Sequence, residues 1–295
     1  MTQSTAEVTI LSETPCRLGE GPVFDPARET LFWFDITEQK RCALHMPTRR
    51  QTVLALPEMA SAMAVIDAER DLIFTETGLQ VLDNATGGLS RHVAIEENDP
   101  VTRSNDARVH PSGAFWLGTM GKQAEQGAGA IYRYFRGTVE KLYDRITIPN
   151  AICFSPDGTT AWFIDTSERK SMKVAVDPSN GAPAGEAEVF FDFGKEVGGP
   201  DGAICDADGN LWIARYGGSR LDCFSPSAKL LRSIDLPARQ ATCPAFVGDG
   251  LIAVTSAFQG LDDAARSADP HAGKTILVEA PVRPMFQPPV AFAAS

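Results

Sequence analysis

Apolar residues in this chain come in short runs bounded by Asp, Pro and Gly, the pattern of strands separated by tight turns. One phrase recurs: an apolar strand, a turn, then a second strand rich in aromatics. It appears as Gly21 to Pro26 followed by Leu31 to Ile36, and more weakly as Met63 to Ala68 followed by Leu72 to Thr75. Strong copies run from Asp106 to Gly113 with Phe115-Trp116, from Ala151 to Gly158 with Trp162-Phe163, and from Gly202 to Gly209 with Leu211-Trp212. A degenerate copy, Ala241 to Gly250 with Leu251 to Val254, keeps the turn and the apolar strand. Further strands are expected before Asp83-Asn84 and before Arg136-Gly137, where turn residues follow apolar runs. Sustained helical periodicity is absent, and Asp262 to Ser267 predicts a single helical turn.

Aligning the turns places Pro26, Ala68, Pro111, Pro156, Ala207 and Val247 at one equivalent position, at intervals of 42, 43, 45, 51 and 40 residues. A four-stranded propeller blade takes about 40–50 residues. Six such units nearly exhaust 295 residues, so the expectation is an all-β, six-bladed β-propeller forming a single domain over residues 1–295. The early strand around Val8 to Leu11 should pair with the C-terminal region, because an unclosed ring would leave sheet edges exposed. Trp33, Trp116, Trp162 and Trp212 recur at equivalent places, which predicts packing between blades.

In a propeller the innermost strand of each blade lines the central channel, so equivalent repeat positions become neighbours in space. Counting six residues back from each aligned turn gives Glu20, Ala62, Asn105, Asn150, Asp201 and Ala241. Four of these six carry a side-chain oxygen suited to a hard cation, where composition alone would give about one. The same residue types also cap strand starts in turns, so the column by itself leaves both readings open. Without His or Cys the set is oxygen-rich; calcium fits best by hardness, with manganese, magnesium or zinc compatible.

Charge narrows the partners. A net charge of −11 and a pI near 4.9 repel phosphate backbones and anionic membranes, so neither nucleic acid nor membrane is an expected partner. No apolar run reaches the roughly 18 residues a membrane helix needs. Met1 to Glu13 lacks the basic start and apolar stretch of a secretion signal, which predicts a cytoplasmic protein. The six cysteines, Cys16, Cys42, Cys153, Cys205, Cys223 and Cys243, form no C-x-x-C pair and read as buried, reduced thiols. Gly273-Lys274-Thr275 lacks the rest of a phosphate loop, Asp206 to Asn210 reads as a hairpin turn, and no G-x-S-x-G occurs.

Along almost its whole length the chain resembles the SMP-30/gluconolactonase family, also called regucalcin-like proteins. The stretches that carry the resemblance are Leu18-Gly19-Glu20-Gly21-Pro22, Arg103-Ser104-Asn105-Asp106, Gly118-Thr119-Met120, Pro149-Asn150, Ser155-Pro156-Asp157-Gly158, Pro200-Asp201-Gly202 and Pro270-His271-Ala272-Gly273. The resemblance implies a six-bladed propeller with one divalent cation near the channel mouth, held by Glu20, Asn150 and Asp201. It implies that Arg103 and Asn105 contact substrate. Ala107 and Ala151 stand where family members often have Gly, and Gln123 stands where an acid commonly follows the Gly-Thr-Met triplet, so no particular sugar follows from the resemblance.

The activity so implied is metal-dependent hydrolysis of a sugar lactone to the aldonic acid, with Asp201 as candidate general base and no obligate protein partner. Two other functions stay open at this point. One is a calcium-binding or regulatory protein without turnover; the other is a metal-dependent hydrolase of other esters. Arg103 and Asn105 favour an enzyme, because an ion buffer has no need of a substrate clamp.

Overall fold

The computed structural model describes residues 6–293, and in it the repeat becomes six antiparallel sheets of four strands each. The innermost strands are Gly19–Asp25, Ala60–Val65, Thr102–Val109, Pro149–Phe154, Gly199–Cys205 and Ala241–Gly248. Each packs against the next and the last returns to the first, so the sheets form a ring and are numbered blades one to six in that order. The expected six-bladed propeller is what the chain builds. Blade six draws on both ends of the chain: Glu7–Ser12 pairs antiparallel with Thr275–Glu279, as the edge argument anticipated. The one helix among the described residues is Asp263–Ala268, whose cap Asp262 accepts from the Ala265 amide at 2.8 Å. No helix among the described residues is long and apolar enough to cross a membrane. The start of the segment read for a secretion signal, residues 1–5, lies outside the described residues.

The core lies between blades, and one residue of register decides where each aromatic goes. Trp116, Trp162 and Trp212 are equivalent, each opposite the residue three places after the channel column: Arg108, Cys153 and Ile204. Each packs against the following blade. Trp33 does not belong with them. Phe32 holds the equivalent place opposite Val23 and faces blade two, while Trp33, one residue on, emerges on the other face and packs against Ala245 and Val247 of blade six. A one-residue offset in a strand reverses its face, so the repeat count for Trp33 is corrected. All six cysteines are free and buried, as expected.

A second regularity positions the channel mouth. Every innermost strand slips its pairing register beside the column, between Glu20 and Val23, Ala60 and Ala62, Ser104 and Ala107, Asn150 and Cys153, Pro200 and Ala203, and Ala241 and Pro244. A bulge breaks strict alternation and re-aims the residues it carries. In blade one it rests on Gly21, with φ +54°; a Cβ there would lie 1.9 Å from the Ser61 carbonyl oxygen. Gly21→Ala is therefore expected to cost about 3 kcal/mol or more, combining left-handed strain and overpacking. Urea unfolding checks this, and a loss below about 1 kcal/mol would show that the blades separate easily.

Candidate metal and substrate site

The column forms one mouth of the channel. Glu20, Asn105, Asn150 and Asp201 are all buried, at 8%, 7%, 4% and 6% exposure, while Ala62 and Ala241 complete the ring without donors. Hydrogen bonds tie the amides together. Arg103 Nη1 donates to Asn105 Oδ1 at 2.9 Å and to the Ser104 carbonyl at 2.7 Å. Asn105 Nδ2 donates to Asn150 Oδ1 at 3.0 Å and to the Pro149 carbonyl at 2.9 Å. Asn150 Nδ2 donates to Thr166 Oγ1 at 2.9 Å, and that hydroxyl donates to the Pro200 carbonyl at 2.9 Å, one residue before Asp201. The chain of bonds runs from blade three through blade four to blade five and fixes which edge of each amide is free.

The two carboxylates are held differently. Burial first, then the charge of Asp106, pushes Glu20 up to about 8, against a pull from the Gly21 amide and Arg103. Asp201 is pushed well above the usual carboxylate range by burial, then by Glu20 and Asp106. Neither forms a salt bridge with any basic side chain among the described residues. Two buried acids without an ion-pair partner are a costly arrangement unless a cation joins them. No three His, Cys, Asp or Glu side chains converge among the described residues, so the donors on offer are two carboxylates with amide oxygens. That set fits a hard divalent ion.

Several residues of the mouth escaped the sequence reading. Asp106 is buried; its Oδ2 accepts from the Ile152 amide at 2.7 Å, its Oδ1 has no partner, and burial raises its carboxyl to about 6. Alternation would have put Asp106 on the face opposite Asn105; the bulge between Ser104 and Ala107 overrides that. Tyr216 packs with Leu18, Ile36 and Ala257, and its phenol rises to about 12 through burial and the charges of Asp201 and Glu20. Thr166 carried no signal beyond its place just after a strand. Gln123 is exposed, and its backbone amide donates to Glu125 Oε2 at 3.0 Å, while neighbouring Lys122 pairs with Glu76 at 2.6 Å.

Thr166→Val keeps the shape but removes the acceptor that orients Asn150. If Asn150 is a ligand, calcium affinity is expected to fall about tenfold, the usual cost of losing an outer-shell partner. Calorimetric titration measures it, and an unchanged affinity would take Asn150 out of the donor set.

Comparison with known proteins agrees with this architecture. A family model described as SMP-30/Gluconolactonase/LRE-like region matches residues 18–258. The chain is 48% identical over 280 residues to a protein of Rhizobium meliloti (strain 1021) named "Putative sugar lactone lactonase", covering 94% of this chain and 95% of that one. It is 32% identical to the L-arabinolactonase of Azospirillum brasilense, covering 92% of each. Among solved structures, the calcium-binding protein regucalcin of Agrobacterium tumefaciens str. C58 superposes with a TM-score of 0.93 at 47% identity, covering 95% of each chain. The match spans all four column donors together with Arg103 and Asp106, and on it the chain belongs to the SMP-30/gluconolactonase/LRE-like family.

Proposed function

We propose that this protein hydrolyses a sugar lactone to the aldonic acid, using a divalent cation, calcium by preference, held by Glu20, Asn150 and Asp201. The observation that carries the reading is the pair of buried carboxylates, Glu20 and Asp201, with no salt bridge among the described residues and the Arg103 guanidinium and two amides beside them. Relatives named as lactonases supply the substrate class.

A bound cation would supply Lewis acidity toward the lactone carbonyl and toward an attacking water. The remaining work falls to side chains. Asp201 takes the proton of the attacking water through the carboxylate oxygen that does not face the cation. Arg103 holds a planar fork of donors of which only Nη1 is engaged among the described residues, so the other nitrogens can clamp the lactone oxygens and then the carboxylate as it forms. Burial lowers its guanidinium only to about 10, so it stays charged at neutral pH. Both amide hydrogens of Asn105 are engaged, so it meets substrate only as an acceptor through Oδ1 and otherwise positions Asn150 and Arg103.

The test is a panel of five- and six-membered aldonolactones, followed by acid release, with EDTA treatment and metal add-back. Turnover of at least one lactone, lost in EDTA and restored by a divalent ion, is expected. Normal calcium binding with no turnover of any lactone would instead favour a calcium-binding role, the description carried by the regucalcin structure.

A further inference from the structure

The inner strands end at a second mouth, opposite the carboxylates, and a cavity of about 220 Å³ lies there. Phe24, Phe154, Ile204, Phe246 and Met285 line it, and Arg108 supplies its charge. Its floor is the segment after blade six, which has no strand but is tied across the ring. The Ala207 amide donates to the Arg283 carbonyl at 3.0 Å, the Val109 amide to Gln287 Oε1 at 2.9 Å, and the Val290 amide to the Val65 carbonyl at 2.8 Å. These bonds reach blades five, three and two, so the strap is a fixed wall.

Arg108 is the feature that needs explaining. It is 6% exposed, yet it forms no salt bridge among the described residues. Nε donates to the Ile152 carbonyl at 3.4 Å, and Nη2 to the Ala203 carbonyl at 3.1 Å and Cys243 Sγ at 3.5 Å; no bond from Nη1 occurs among the described residues. The nearby acid, Asp106, attracts it without a hydrogen bond: Oδ2 accepts from the Ile152 amide and Oδ1 has no partner among the described residues. At the equivalent place the other blades carry Val23, Val65, Cys153, Ile204 and Pro244, so blade packing does not call for a cation there. A guanidinium kept out of water without a bidentate acceptor is costly. A mostly apolar pocket with one convergent charge has the composition of a small-molecule site.

We propose that this cavity binds a small monocarboxylate with an apolar body, its carboxylate on Arg108 and its body among the phenylalanines. Apolar voids of about 150 Å³ take a benzene ring, so benzoate and hexanoate are of the right size. An aldonic acid is not: its hydroxyls would be buried against rings with nothing to bond. The cavity opens at the mouth away from the carboxylates, although the charge of Arg108 reaches Glu20 and Asp106, and the inference stands whether or not lactones are hydrolysed.

Calorimetric titration of the full chain in EDTA, with benzoate and hexanoate against benzyl alcohol and hexanol, tests it. One saturable site per chain is expected for the acids, with the alcohols at least about tenfold weaker. Met285→Trp, which fills the cavity from the strap where Met285 packs on the core between blades four and five, is expected to weaken the acids at least about tenfold. Arg108→Met is expected to erase the preference for acid over alcohol; should that variant not fold, the Met285→Trp comparison still decides. No saturable binding of either acid, equal binding of acid and alcohol, or acid binding untouched by Met285→Trp would overturn the proposal.

Discussion

Asp201→Asn is expected to lower lactone turnover about a thousandfold with calcium at saturation, the scale set by loss of a general base. Asn keeps the volume and one ligating oxygen but cannot take a proton. Two effects have to be separated, because Asp201 is proposed both as ligand and as base. Calcium affinity measured by titration reports the first; kcat at saturating calcium reports the second. Glu20→Gln supplies the comparison: it removes the neighbouring carboxylate, whose charge helps raise Asp201, without removing the proposed base. It should therefore weaken calcium more than it lowers kcat. Turnover of Asp201→Asn within about threefold of the parent chain, with calcium bound, would sink the base assignment.

The cation-free protein should melt higher in acid than in mild alkali, the reverse of ordinary acid denaturation. Burial, the largest cause at each group, raises Glu20 to about 8, Asp106 to about 6 and Asp201 well above its usual range. In the unfolded chain the same groups titrate near 4. Between these values the native state holds more protons than the unfolded state, so stability falls as pH rises. The contribution is complete below about pH 4 and is lost as pH climbs through about 6 to 8. From about pH 5.5 to 8 in EDTA the expected loss is at least about 3 kcal/mol, the share of Glu20 alone, a Tm drop of at least about 5 °C for a chain of this size. Calcium should restore the lost stability at the alkaline end and do little at the acid end, where protons hold the same oxygens. Thermal melts at three pH values, with EDTA and with calcium, measure it. The net charge of −11 also destabilises at high pH, and Glu20→Gln isolates the site because it flattens only the carboxylate part. A calcium-induced rise in Tm that is the same at both ends of the range would refute the linkage.

The fold was legible because a propeller is a repeat, and repeats write themselves into sequence as a period. The turns from Pro26 to Val247 located every blade, and the need to close the ring located the strand at Glu7–Ser12. The same period reached Glu20, Asn105, Asn150 and Asp201, and the structure brings all four to one mouth as buried residues. What the period could not carry is anything set by a single-residue change of register. Trp33 looked like the other tryptophans and packs on the opposite face. Strict alternation would set Asp106 on the face opposite Asn105; with a bulge between Ser104 and Ala107 it is buried and its charge reaches Glu20 and Asp201.

From the sequence alone came the architecture, the closing strand and the list of oxygen donors, since all three depend on spacing that chain order preserves. Only the tertiary structure decided which donors lack ionic partners, which amide edges are free, and that Thr166 and Tyr216 belong beside them. It alone set Arg108 over an apolar cavity at the far mouth. The physical reason is common to these cases. Solvation and hydrogen-bond partners belong to neighbours in space, and in a closed ring those neighbours sit one or more blades away along the chain.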